Sequence, residues 1–60
     1  MDKFELKERL IKLYDSIADN AAELMIDSAD NEETGNIRSR VISALARLSD
    51  VVSEEIYGIY

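Results

Sequence analysis

FELKERLIKLYDSIADNAAELM, residues 4–25, decides how this chain folds. Leu6, Leu10, Leu13, Ile17 and Leu24 recur at spacings of four, three, four and seven, with Tyr14, Ala18, Ala21 and Met25 beside them. At about 100° per residue, that is the period of an α-helix. Together with Ile11 these side chains cover about half of the cylinder. Glu5, Arg9, Lys12, Asp19, Glu23 and Asp27 occupy the other half. One neighbouring helix covers a narrower stripe than this. The chain is therefore expected to complete its core with other chains.

Working outward, the length bounds the answer. Sixty residues make one domain at most, near the lower limit for a core that holds unaided. So small a chain is usually braced by disulfides, a metal or oligomerisation. There is no Cys and no His, which removes disulfides and thiolate or imidazole zinc sites and leaves oligomerisation. Proline is absent and glycine occurs only at Gly35 and Gly58, so little interrupts helix. Apolar residues make up 47% of the chain, too many for a disordered acidic polymer.

The net charge of −6 argues against broad electrostatic affinity for nucleic acid or an anionic membrane. Direct nucleic-acid binding and membrane binding are not expected, and another protein is the expected partner. The opening MDKFELKERL interleaves acids with bases, unlike a signal peptide. No stretch approaches the ~20 apolar residues of a membrane span. The expected location is the cytoplasm, of a cell or of an infected host.

Asp2 with Glu5 three residues on matches a capping box loosely, so the first helix is expected over about residues 3–29. A turn is expected at about 30–36, with Gly35 available for positive φ and Asn36 to cap the second helix. Another start is open, with Asp30 as cap and Glu33 at the third helical position. It places Gly35 inside the first turns, at about 1 kcal/mol relative to Ala. The second helix is expected over about 37–57. Its stripe is Val41, Leu45, Leu48, Val52 and Ile59, flanked by Ile37, Ala44 and Val51 on one side and Ile42 and Ile56 on the other.

Residues 15–34 carry seven acids and no base, while residues 35–47 carry Arg38, Arg40 and Arg47 and no acid. An antiparallel hairpin brings these segments side by side, which selects orientation more than it stabilises. Two half-apolar helices joined by one seam still leave an apolar strip on each. A four-helix bundle of two hairpins, or a larger ring of them, buries it. The expected oligomer interface is Leu10, Leu13, Ile17, Leu24, Val41, Leu45, Leu48 and Val52.

Without His or Cys, no Ser-His or Cys-His nucleophile is available, and the six serines have no adjacent base. No glycine-rich phosphate loop occurs. Asp30, Glu32, Thr34 and Gly35 take positions one, three, five and six of a calcium loop, but position twelve is Val41 where a bidentate Glu is needed. No catalytic residue, metal site or cofactor is expected.

The ladder Asp15, Asp19, Glu23 and Asp27 places like charges next to one another on a helix, each pair costing a few tenths of a kcal/mol. It reads either as a solvated outer face or as a docking surface for a basic protein patch, as in inhibitors that imitate a DNA backbone. Tyr57 and Tyr60 read as aromatic anchors for an interface, or as covers for the open end of the bundle. Asn20, beside the main stripe, reads as a register-setting polar residue or as simple exposure.

The stretch AAELMIDSADNEETGNIRSRVISALARLSDVVSEEI, residues 21–56, resembles the central helical hairpin of small terminase subunits of T4-like tailed phages. The matching residues are Glu23-Leu24-Met25, then Arg38 or Arg40, Val41-Ile42, Leu45, Leu48 and Asp50. The resemblance implies a hairpin that forms oligomeric rings, helps to recognise DNA and regulates a large packaging motor. The expected fold is thus an all-α antiparallel hairpin that self-associates. The expected function is that of a non-enzymatic adaptor or regulatory module. The rival is an acidic phage- or plasmid-type inhibitor of a host nucleic-acid-handling protein, acting through Asp15, Asp19, Glu23 and Asp27.

Overall fold

The computed structural model describes residues 1–26 and 30–59. They form two helices, α1 (Lys3–Ile26) and α2 (Glu32–Gly58), packed against each other, with no strand among the described residues. Local chemistry sets where each begins. Asp2 caps α1: the Glu5 N–H donates to Asp2 Oδ1 at 2.8 Å and the Leu6 N–H to the Asp2 carbonyl at 3.0 Å. The expected end of this helix, at residue 29, lies outside the described residues.

α2 starts five residues before the expected Ile37. Its cap is Asn31, in extended backbone, and not Asn36. The Thr34 N–H donates to Asn31 Oδ1 at 2.9 Å, and the Asn31 N–H donates to Thr34 Oγ1 at 3.1 Å. This is a reciprocal capping box with Thr in the place usually held by Glu or Gln. Gly35 consequently lies within the first turn, its N–H donating to the Asn31 carbonyl at 3.0 Å, and no glycine among the described residues adopts positive φ. The cap contributes about 1 kcal/mol, enough to offset a helical glycine. Glu32 and Glu33 also gain from the partial positive charge of the first turn. The outcome is close to the alternative start, shifted by one residue.

At the other end the Lys7 ammonium donates to the Ile59 carbonyl at 3.2 Å, which fixes the helices as antiparallel. Stepping inward from that contact sets Leu10 level with Ile56, Tyr14 with Val52, Ile17 with Ser49, Ala21 with Leu45 and Leu24 with Ile42. Burial obeys the same register. Lys7, Leu10, Ile17, Ala21 and Leu24 are the less exposed residues of α1. On α2 they include Gly35, Arg38, Ile42, Leu45, Ser49, Val52, Ile56 and, just past its end, Ile59. These positions alternate steps of three and four, the 3.5-residue period of a coiled coil. Ile42 and Ile56, expected on the side of the stripe, lie in the seam, whereas Val41 and Leu48 lie outside it.

The result is a rod of 45 × 15 × 15 Å with a radius of gyration of 14.3 Å. A compact 60-residue domain would have a radius near 10 Å. Among the described residues only Ile17 and Val52 are buried, at 7% and 5% exposure.

Candidate interaction surface

The side chains left outside the seam decide what this hairpin can do. In a heptad helix, the position before and the position after the seam column form its two flanks. Turning one helix end over end to face the other brings like flanks together, so the rod has two distinct sides. On the first side α1 presents Leu6, Leu13 and Asn20, and α2 presents Val41, Leu48 and Glu55. Ile37, Ala44 and Val51 extend the apolar surface outward from Val41 and Leu48. Leu13, Val41 and Leu48 are 44%, 42% and 45% exposed, and Val51 is 55% exposed. On the second side α1 presents Phe4, Ile11, Ala18 and Met25, while α2 presents Ser39, Ala46 and Ser53. A depression lined by Tyr14, Ser53, Ile56 and Tyr57 opens on this second side.

The eight residues expected at the oligomer interface therefore divide. Leu10, Ile17, Leu24, Leu45 and Val52 sit in the hairpin's own seam, and Leu13, Val41 and Leu48 stand exposed on the first flank. The sequence stripes missed the seam roles of Ile42 and Ile56. The signal that would have found them is the strict three-four alternation from Gly35 to Ile59, which Gly35, Arg38 and Ser49 interrupt.

The acidic ladder lies on the outer face of α1, where Asp15, Asp19 and Glu23 are exposed; Asp27 is outside the described residues. Arg40 and Arg47 do not face it. They lie on the outer face of α2, lining a shallow depression with Ser39 and Ser43. The acidic and basic segments are thus neighbours in register, with these charges on opposite sides of the rod. Arg38 occupies a half-buried position on α2. Tyr57 is 79% exposed beside Tyr14, and Tyr60 is outside the described residues. The Asn20 amide donates to the Ser16 carbonyl at 2.7 Å and approaches Ser16 Oγ at 3.4 Å, so its own helix satisfies it.

Glu32, Thr34 and Gly35 are helical residues of α2, and the Thr34 hydroxyl is engaged in the cap, so this segment is not an open ion-binding loop. No grouping of three acidic side chains suited to a metal occurs among the described residues. No described helix is long and apolar enough to cross a membrane.

No protein-family model matches this sequence, and comparison with curated proteins and with solved structures likewise finds no match.

Proposed function

We propose that this chain is a non-enzymatic oligomerisation module, a helical hairpin whose first partner is a second copy of itself. It would serve as a small adaptor or regulator in the cytoplasm of a cell or an infected host. The observation that carries this reading is the surface the lone hairpin leaves in water. A compact monomer of its 6.8 kDa mass exposes about 4,000 Å². This chain exposes 4855 Å². The difference, roughly 900 Å², is close to the ~800 Å² that each partner contributes to a standard protein interface. The exposed large side chains include Leu13, Val41, Leu48 and Val51 on one side of the rod and Phe4, Ile11 and Met25 on the other. The resemblance to small-terminase hairpins supports the same reading and supplies a setting, regulation of a larger machine. Sedimentation equilibrium of the unmodified chain tests it. A multiple of 6.8 kDa at micromolar concentration is expected, and a stable single chain there would overturn it.

A second reading draws on the separation of charge across the rod. Asp15, Asp19 and Glu23 make an acidic strip on the side away from Arg40 and Arg47, a surface that fits a basic patch on a nucleic-acid-handling protein. Asp19→Lys with Glu23→Lys is expected to abolish capture of such a partner while the assembly mass stays unchanged. Capture that survives the reversal removes this reading.

A further inference from the structure

We propose that the second copy docks on the Leu13–Leu48 flank, through a second heptad seam that shares side chains with the intrachain one, so that two hairpins close into a two-fold four-helix bundle. This rests on the self-association proposed above and names the face that carries it.

The seam inside the hairpin is built from two columns on each helix. One is aliphatic apart from Arg38: Leu10, Ile17 and Leu24 on α1, and Arg38, Leu45, Val52 and Ile59 along and just past α2. It holds both of the described residues that are buried. The other column is mixed, with Lys7, Tyr14 and Ser49 among its members. The exposed flank of Leu13, Val41 and Leu48 stands on the far side of the aliphatic column. That column therefore belongs to two three-four repeats at once, one facing the hairpin's other helix and one facing outward. A helix in a four-helix bundle touches two neighbours and turns its most apolar column to the bundle axis. Both helices here show that arrangement, and on the same side of the rod.

The other flank is apolar on one helix only: α1 presents Phe4, Ile11, Ala18 and Met25 there, whereas α2 offers Ser39, Ala46 and Ser53.

Asn20, the uncharged polar side chain on the flank, brings its own acceptor in the Ser16 carbonyl.

The decisive experiment compares the flanks by sedimentation equilibrium. Leu13→Glu with Leu48→Glu is expected to run at 6.8 kDa where the unmodified chain runs at twice that mass. Ile11→Glu with Met25→Glu is expected to keep the doubled mass. Any other pair of results overturns the choice of face, while an unmodified chain already at 6.8 kDa overturns self-association itself. Should either Glu variant lose its helicity, cross-linking of the otherwise native chain decides. The sequence has no Cys, so Leu48→Cys and Met25→Cys each introduce a single thiol. A short bismaleimide is expected to join the Leu48→Cys chains into covalent dimers and to leave the Met25→Cys chains single. Equal or inverted yields overturn the proposal.

Discussion

Val52→Asp is expected to abolish helicity and assembly together. Val52 is 5% exposed and, with Ile17, is one of the two buried side chains among the described residues. It also belongs to the aliphatic column that both seams use. A carboxylate placed there is taken out of water, and an uncompensated buried charge costs several kcal/mol. At 0.05–0.15 kcal/mol per residue, a chain of this length has roughly 3–9 kcal/mol of stability in total. Far-UV circular dichroism at 222 nm reads the outcome directly. Ser43→Asp, on the outer face of α2, serves as the control and is expected to keep the helical signal. A Val52→Asp chain that stays helical would show that the fold does not depend on this seam.

The second large effect is on thermal stability and needs no substitution. If folding is completed by association, the folded state is favoured by concentration. A hundredfold dilution then removes RT ln 100, about 2.7 kcal/mol per dimer and about half of that per chain. For a domain of this size, the melting temperature is expected to fall by roughly 5–10 °C. A melting temperature that does not move between millimolar and tens of micromolar would mean that the lone hairpin is a self-sufficient fold. The physical ground for expecting movement is the small core. Two buried side chains among the described residues are few for a stable domain, and the seam is interrupted by Lys7 and Ser49.

Much of the architecture is legible in the pattern of residues alone. Asp2 as a cap, two long amphipathic helices and their antiparallel return all come from local pattern, and the structure shows each of them. The start of α2 is harder to read. Asn31-x-x-Thr34 is a weaker signature than a box closed by Glu or Gln, and Gly35 reads as a stop, although a helix with a good cap tolerates it. The facing of Arg40 and Arg47 is also hidden. Segment charge places them alongside the acidic ladder, while their angular position turns them away from it.

By itself the sequence determined that this is a two-helix chain with more apolar surface than one seam can hide. It could not choose between two overlapping stripes, because Leu10, Ile17, Leu45 and Val52 belong to both and hydrophobic attraction has no direction. Only the tertiary structure decided that Ile42 and Ile56 close the hairpin and that Leu13, Val41 and Leu48 stay outside. The reason is geometric: two helices in contact can share one 3.5-residue seam, and a side chain one step off that seam is carried round to the flank.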